Sequence, residues 1–397
     1  MCGTCSRMHA RRYSLLVLGT VTALVMAVGS FNLSVDPYLL WRSGGHVGYA
    51  GDELGRLTKA HWIEGFGADL VILGNSHAAG GFSEESFRSH GLAERPFNGA
   101  FPAAQIYEMR RYFQHYAEQS DLHTALLVVD ILNFMNYIPV GEAFDEDRLS
   151  VSADGAANPR WWLDDVVYTN FTGAGLQASM EALIRRRRPD GRDNGFRPCT
   201  PQPTKTDPSR ALTLMGASYV RFLDQAFLDE GTNFDWRGEL KAIFAEAERR
   251  DIKLYVVIPP AHVTYYMELE AAGYWPAYLD MVRDIATLAD GAGGDIEVFD
   301  FTGFTRLQTE PVEAERGLIF WRDTNHFSCR TGELMVARLS GDPVSVRDFG
   351  EKLTADNVAA YLARLEADKQ AWKRDGGEYC RYLKMMPEGF PTDDGAC

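Results

Sequence analysis

A long uncharged stretch near the N-terminus, Tyr13 to Val35, limits what this chain can fold into more than any other feature. A helix of about 20 apolar residues is long enough to cross the hydrocarbon core of a bilayer. Basic residues are retained on the cytoplasmic side, and three precede the stretch, namely Arg7, Arg11 and Arg12. The sequence therefore predicts a cytoplasmic tail over residues 1–12, a single-pass transmembrane signal-anchor over residues 13–35, and a periplasmic or extracellular remainder in a cell-membrane protein.

A cleaved signal peptide, with the mature protein secreted, is the alternative interpretation. Ala27-Val28-Gly29 offers the small residues at which signal peptidases cut. Both interpretations export the rest of the chain. The cysteines beyond the stretch are even in number, which suits a compartment where disulfides persist, although the sequence leaves their pairing open: Cys199, Cys329, Cys380 and Cys397.

Composition excludes several classes of protein. Of the 397 residues, 46% are hydrophobic and 24% charged, which is typical of a globular protein and excludes fibrous, low-complexity and multi-span membrane chains. The formal net charge of −15 makes nucleic acid an improbable partner. Beyond the stretch no Cys or His spacing matches a metal motif, so neither a metal nor a cofactor is predicted.

Short apolar runs alternate with helical segments over most of the remaining chain. The runs are residues 68–74, 97–100, 124–132, 253–258 and 296–300, the last of which we take as the final strand. Strands spaced by helices predict an α/β fold, a three-layer αβα sandwich with a parallel sheet covered on both faces. Such sheets hold ligands at the carboxyl ends of their strands.

The same pattern predicts the domain organisation. A linker over residues 36–67 leads to an α/β domain over 68–345, and a C-terminal helix and tail follow over 346–397. The interval between the third and fourth strands is longer than one crossover needs, so residues from about 138 to 227 form an insertion. Insertions at strand ends commonly build substrate walls.

Ser76 is the first candidate for chemistry. It lies in Leu73-Gly74-Asn75-Ser76-His77, where a buried strand gives way to a helix, so its hydroxyl stands at the active edge of the sheet. Backbone N–H groups at such a helix start can face an oxyanion formed on the serine. The alternative is a helix cap after a strand.

A nucleophilic serine needs a base, and the base needs an orienting carboxylate. His326 has an aspartate three residues before it, in Asp323-Thr324-Asn325-His326, so one short turn can present both side chains to the same side. This turn follows the last predicted strand. We therefore expect it to return to the edge that carries Ser76.

These motifs, in this order, resemble the SGNH/GDSL hydrolase superfamily over about residues 68 to 340, insertion excluded. The matching features are Gly74-x-Ser76 after the first strand, Asn98-Gly99 after the second and Asp323-x-x-His326 near the end. The single anchor, followed by Asn32-Leu33-Ser34-Val35-Asp36-Pro37-Tyr38, is similar to the membrane-anchored SGNH-like proteins of cell-surface polymer acylation. Those include the D-alanyl-lipoteichoic acid membrane protein and, more loosely, the alginate O-acetyltransferases.

The resemblance implies a flavodoxin-like sheet and a role for each matching residue. Ser76 would be the nucleophile, His326 the general base and Asp323 its partner. The backbone amides of Ser76 and Gly99 would donate to the oxyanion. The family's Gly-x-Asn-Asp after the third strand is replaced here by Asp130-Ile131-Leu132-Asn133, with Asn133 as the candidate third donor, and this departure also suits a transferase or a degenerate site.

Five further residues are candidates for substrate contact: His77, Asn98, His262, Trp161 and Trp162. For His262 the alternative is a ring satisfied by a local backbone group.

The expected function is a serine esterase or O-acyltransferase that moves an acyl group, acetyl first among them, on or off a cell-surface glycan. The resemblance also implies a multispanning membrane acyltransferase as partner, because one span cannot carry acyl groups from the cytoplasm. The alternative is a catalytically inert SGNH-fold subunit that binds glycan or assists assembly.

Overall fold

A computed structural model describes residues 3–41, 55–134, 140–141, 143–185, 194–200, 234–312, 317–375 and 377–384. The chain divides into two compact units, each assembled from two separate stretches. Residues 1–62 and 145–193 form what we call the anchor unit. Residues 63–144 and 194–397 form the sheet unit.

A six-stranded, mostly parallel sheet organises the sheet unit. Its strands are β1 (Leu70–Leu73), β2 (Pro96–Asn98), β3 (Thr124–Val128), β4 (Lys253–Ile258), β5 (Ile296–Asp300) and β6 (Glu351–Leu353). Their order across the sheet is β2-β1-β3-β4-β5-β6, and only β6 runs antiparallel to its neighbour. The predicted α/β class with a parallel sheet is confirmed.

Helices connect the strands. In chain order the helices are α1 (Gly3–Val35), α2 (Gly55–Trp62), α3 (Ser76–Gly81), α4 (Glu84–Ser89), α5 (Ile106–Gln119), α6 (Leu163–Phe171), α7 (Gly173–Arg185), α8 (Trp236–Arg249), α9 (Val263–Ala271), α10 (Trp275–Asp290), α11 (Cys329–Ser340), α12 (Val358–Asp375) and α13 (Gly377–Leu383).

The core lies on both faces of the sheet, because strands β1 and β3 are buried along almost their whole length. On one face, Leu70, Ile72 and Leu126 join a cluster with Phe82 and Met335 from the α3 and α11 regions. Helices α5 and α8 pack on each other and on β1 and β4. Because neither face of the sheet contacts water, these strands are apolar along nearly their whole length.

Two predicted boundaries are wrong. Residues 296–300 do not form the last strand, because β6 pairs with β5 and sets Glu351 opposite Asp300. The segment predicted as a C-terminal helix and tail also belongs to the sheet unit, since Phe349, Tyr379 and Tyr382 are buried in its core. The last part of that tail, residues 385–397, lies outside the described residues.

The anchor unit contains the predicted transmembrane segment. Within α1, Ala10–Val35 is long and apolar enough to cross a membrane, with a mean hydropathy of 2.0. The segment predicted as a linker, 36–67, contains helix α2, most of which is buried. From the predicted insertion, α6 and α7 belong to this unit, whereas residues 194–200 belong to the sheet unit and 201–227 lie outside the described residues.

Candidate active site

The turn from β1 into α3 positions Ser76. Asn75 ends the turn as the N-cap of α3, and its Oδ1 accepts a hydrogen bond from the His77 backbone N–H over 3.0 Å. Gly74 is required before it, because a Cβ there would lie 2.8 Å from Ala78 Cβ and 3.0 Å from the Val128 carbonyl oxygen. The close approach of β1 and β3 thus delivers Ser76 to the carboxyl edge of the sheet.

Ser76, His326 and Asp323 form one connected chain of side chains. Ser76 Oγ lies 2.7 Å from His326 Nε2. On the other side of the ring, His326 Nδ1 lies 2.9 and 2.8 Å from the two carboxylate oxygens of Asp323. With the Nδ1–H donated to Asp323, Nε2 is left to accept the serine proton. The structure therefore brings together the three residues that the sequence suggested as a triad.

A short hairpin-like turn holds the acid and the base. Trp321 and Phe327, both fully buried, form an antiparallel bridge, and the Arg322 N–H donates to the His326 carbonyl over 2.8 Å. Asp323 Oδ1 accepts the backbone N–H of His326 at 2.8 Å. The same carboxylate thereby fixes both the backbone of the turn and the ring of the base.

Electrostatics suit this division of roles. Burial alone would raise the pKa of Asp323, but the charge of His326 and the hydrogen bonds to its carboxylate hold that pKa below its usual value. Burial lowers the pKa of His326, and the positive charges of His77 and Arg322 lower it further against the opposing pull of Asp323. At neutral pH the site holds an ionised carboxylate and an uncharged base.

A second histidine–aspartate pair lies directly beside the triad. His77 Nδ1 is 2.9 Å from Asp130 Oδ2, and both side chains are almost fully buried. Burial would raise the pKa of Asp130, but the charge of His77, with hydrogen bonds from Asn75 and the Leu132 N–H, lowers it. The ring of His77 stands edge-on to that of His326, 4.9 Å between centroids.

The sequence pattern predicted this pair only in part. His77 was expected to contact substrate, but its side chain is buried and faces His326 and Asp130, so that expectation is wrong. Asp130 was not selected at all. The signal was present, since Asp130 follows β3 directly and the carboxyl ends of β1 and β3 are neighbours in the sheet.

A buried carboxyl group lies close to Asp323. Glu268 in α9 is fully buried, and burial raises its pKa well above the usual value, with the negative charge of Asp323 adding to the rise and a hydrogen bond to Thr324 opposing it. Burial and the charge of Asp323 therefore both favour the neutral form of Glu268. Sequence patterns offered no sign of it.

Two of the three expected oxyanion donors already donate hydrogen bonds to groups within the fold. The Gly99 N–H donates to the Ile72 carbonyl over 2.9 Å, extending the β1–β2 ladder. The side chain of Asn133 donates to the Ala104 carbonyl over 2.8 Å and accepts from the Asp130 N–H over 2.7 Å. Those two predictions are wrong, because both donors are already engaged. The Ser76 N–H, at the start of α3, donates to no group in the described part of the chain.

Two predicted substrate contacts are structural instead. Asn98 is fully buried, donates to the Ala78 carbonyl over 3.0 Å and accepts from the Ala100 N–H over 3.1 Å. His262 is fully buried and caps α9, with its ring nitrogens 2.9 Å from Thr264 Oγ1 and 3.0 Å from the Glu310 carbonyl oxygen. Neither side chain can reach a ligand, and for His262 the structural alternative holds.

The two tryptophans lie in the anchor unit. Trp161 is buried, with its ring 4.8 Å from that of His61, so the expectation that it contacts substrate is wrong. Trp162 is exposed, and its role as a substrate contact remains a prediction. No group of three or more His, Cys, Asp or Glu side chains within the described ranges could hold a metal ion.

No protein-family model matches this chain, and a search of curated proteins finds no relative. The arrangement itself defines the kind of site: a serine, a histidine and an aspartate hydrogen-bonded in sequence at the carboxyl edge of a mostly parallel α/β sheet.

Proposed function

We propose that this protein is a membrane-anchored, extracytoplasmic serine esterase or O-acyltransferase of the SGNH type, acting on acyl groups of a cell-surface glycan. The observation that carries the proposal is the 2.7 Å separation of Ser76 Oγ and His326 Nε2, with Asp323 2.8 Å behind the ring. Residues 250 positions apart meet with the spacing that proton transfer needs. This linked chain favours an enzyme over an inert binding subunit.

The reaction follows from the geometry. Ser76 Oγ attacks the acyl carbonyl as His326 Nε2 takes its proton, and Asp323 stabilises the resulting imidazolium. The Ser76 N–H is placed to donate to the oxyanion. When the tetrahedral intermediate collapses, His326 returns the proton to the leaving alcohol, and the acyl group remains on Ser76. Water or a sugar hydroxyl then attacks this ester by the same steps in reverse.

The fold supports the same class. The strand order 2-1-3-4-5 is that of a flavodoxin-like sheet, which holds ligands at the carboxyl ends of its central strands. Ser76 follows β1 and Asp130 follows β3, the two strands at the centre of the reversal in strand order. The order of these five strands supports the SGNH part of the proposal.

The location is supported by two observations. Helix α1 is long and apolar enough to span a membrane, and arginines precede its apolar part. Cys199 and Cys329 form a disulfide, which persists in an oxidising compartment and is rare in a reducing cytosol. Together they favour an N-terminus in the cytoplasm and a sheet unit outside.

The glycan substrate and the multispanning acyltransferase partner rest on the resemblance to the anchored proteins of polymer acylation. A donor in the cytoplasm would need such a partner, because α1 is the one helix in the described ranges that is long and apolar enough to cross a membrane.

The test is ester hydrolysis by the full-length protein in detergent, with p-nitrophenyl acetate as substrate. Replacing Ser76→Ala removes the attacking oxygen, and loss of a catalytic serine in a comparable triad costs about six orders of magnitude in kcat. We expect the rate to fall to background. Mass spectrometry of the wild-type protein after incubation with the ester should also find one acetyl group on the peptide that contains Ser76.

Ser83→Ala is the matched control. Ser83 also follows a Gly-x pair but caps α4, where its Oγ accepts the Ser86 N–H over 3.2 Å, so its loss should leave the rate unchanged. Equal rates for wild type and Ser76→Ala would rule out serine chemistry at this site.

A further inference from the structure

Every exposed large hydrophobic side chain in the described ranges belongs to the anchor unit. Many lie on α1, as expected of a membrane span. The remainder lie at Trp41 and on or beside α6 and α7: Trp162, Leu163, Val167, Tyr168, Phe171, Met180, Leu183 and Ile184. A water-soluble helix pair would turn such residues inward.

Helix α6 has its polar side inside. Its buried residues are Asp165, Thr169 and Asn170, whereas Leu163, Val167 and Phe171, spaced four apart on one face, are exposed. The buried polar groups are satisfied: Asp165 accepts from Arg148 Nε and lies 2.9 Å from His61 Nε2. Among the described residues of the unit, nothing covers the exposed apolar face.

Helix α7 shows the same inversion in a different form. Its inward stripe consists of small residues, Gly175, Ala178, Ser179 and Ala182. Outside, Met180 is 53% and Ile184 78% exposed. Helices in membranes pack through small residues, because lipid tails solvate large apolar side chains as well as a protein core does.

Both helices are fixed to the outer end of α1 by one polar residue. Asn32 is fully buried, its Nδ2 donates to the Asn170 carbonyl over 2.8 Å, and its Oδ1 accepts from Ser179 Oγ over 2.8 Å. Close by, a Cβ at Gly29 would lie 2.3 Å from Phe171 Cε1, so glycine is needed for the contact. Buried polar side chains of this kind join helices inside membranes.

These contacts define the depth of the pair. Gly29 lies about 9 Å along the helix axis before Val35, where the apolar span ends. Helix α6 runs back along α1, since Tyr168 stands near Tyr38 and Phe171 near Gly29. Its nine residues cover about 13 Å, which is less than half of the ~30 Å hydrocarbon core.

We propose that α6 and α7 form a hairpin embedded in the outer leaflet beside α1, with its tip near Phe171 and its exposed face in contact with lipid acyl chains. The inference rests on the membrane anchor of the proposed function. The hairpin would hold the protein against the bilayer surface by apolar burial in addition to the single span.

Lipid fits the exposed face better than a protein partner. The face is continuous with the apolar surface of α1, because the two pack side by side over the last two turns of the span. Trp41 and Trp162 are exposed at the other end, away from the tip, where tryptophan is enriched at membrane–water interfaces. Asp164, two residues after Trp162 in the sequence, is where the headgroup region would begin.

Photocrosslinking of the full-length protein in phospholipid nanodiscs tests the proposal. p-Benzoylphenylalanine replaces Val167 in one variant and Ile184 in another, both exposed positions whose substitution leaves buried contacts intact. Leu24→p-benzoylphenylalanine in α1 is the positive control, and Lys241→p-benzoylphenylalanine, exposed on α8 of the sheet unit, is the negative one. Adducts are identified by mass spectrometry, and circular dichroism checks that each variant folds.

We expect lipid adducts at 167, 184 and 24 and none at 241. Lipid adducts at 24 alone would overturn the proposal, as would protein–protein adducts at 167 and 184, which would assign the face to a second copy of the chain. Absence of adducts at 24 would remove the anchor and the hairpin together. Ester hydrolysis by the same preparations does not depend on the hairpin's surroundings, so failure of the proposed chemistry is scored separately.

Discussion

The two units of this chain bury opposite kinds of residue. In the sheet unit, apolar strands and aromatic side chains fill the interior, and large hydrophobic residues are absent from the described surface. In α6 and α7 of the anchor unit, polar and small residues are inside and large apolar residues outside. The sheet unit thus follows the burial pattern of a protein in water. Helices α6 and α7 follow the pattern of helices that contact lipid, as proposed above.

The buried polar groups beside α1 and those behind Ser76 make different kinds of contact. In the anchor unit, Asn32 joins three helices through neutral hydrogen bonds. In the sheet unit, the polar groups behind Ser76 are ionisable and paired, as His326 with Asp323 and His77 with Asp130. Ionised groups in an apolar interior need such partners.

The largest expected effect tests where the chemistry lies. Replacing Asp323→Asn keeps the size of the side chain but favours the wrong tautomer of His326, which in a comparable triad lowers kcat by about four orders of magnitude. The measurement is the kcat for p-nitrophenyl acetate in full-length protein.

Asp342→Asn is the control for this change. Asp342 also pairs with a histidine, its Oδ2 2.6 Å from His90 Nδ1, but that pair is on the surface. Its loss should leave kcat unaltered. If the two variants kept the same activity, Asp323 would have no role in orienting the base.

Much of the sheet unit could be predicted because its determinants are local. Strands β1, β3, β4 and β5 are apolar runs bounded by glycine, proline or polar residues, and each lies where the pattern indicates. The triad followed from topology, since carboxyl ends of parallel strands meet at one edge.

What the sequence could not reveal depends on non-local pairing. β6 is only Glu-Lys-Leu and becomes a strand because β5 offers it a partner. Whether the Gly99 amide is free depends on its ladder partner, Ile72, which no local pattern encodes. The inverted helices α6 and α7 have nearly ordinary composition, and their inversion becomes visible only once Asn32 fixes which side faces inward.

Two matched asparagines sharpen the contrast between the units. Asn98 and Asn32 are both fully buried, and each makes one donated and one accepted hydrogen bond. Asn98→Ala removes two buried hydrogen bonds, one to the Ala78 carbonyl and one from the Ala100 N–H, for a loss of about 3 kcal/mol. Asn32→Ala should cost about 1 kcal/mol, because helices separated in a membrane find other partners.

Hydrogen exchange followed by mass spectrometry measures both effects in nanodiscs, from the β1–β3 amides for Asn98→Ala and the α6–α7 amides for Asn32→Ala. Gln370→Ala, which removes an exposed hydrogen bond to Glu366, should change neither. Equal losses of stability in Asn98→Ala and Asn32→Ala would contradict the inference that α6 and α7 contact lipid while the sheet unit lies in water.

Asp300 tests how the sheet unit tolerates a buried carboxyl group that has no ionic partner among the described residues. Burial raises the pKa of Asp300 from 3.8 to about 6, so above pH 6 the folded state holds an unfavourable charge worth about 3 kcal/mol. That penalty disappears as the pH falls from 6 towards 4. Asp300→Asn should therefore be more stable than wild type at pH 8, by up to about 3 kcal/mol. The measurement is urea unfolding of the full-length protein.

His262 gives the opposite pH dependence and serves as the internal check. Burial lowers its pKa from 6.5 to about 4, so the unfolded chain binds a proton first and stability is lost as the pH falls from 6.5 to 4. In the wild-type protein, Asp300 and His262 make opposite contributions to the pH dependence of the free energy of unfolding between pH 6.5 and 4. In Asp300→Asn the loss of stability caused by His262 should appear as a steep decline on acidification, and a flat profile for this variant would refute the His262 assignment.

The smallest expected effect concerns His77, which we treat as a positioning residue because it touches His326 rather than Ser76. The active form of His326 is uncharged, so kcat/KM falls as the pH drops through its pKa. The positive charge of His77 lowers that pKa, so His77→Gln should move the acid limb of the profile to higher pH by less than about one unit. If His77 only packed against the ring of His326, its replacement would lower the rate and leave the midpoint of the pH profile unchanged.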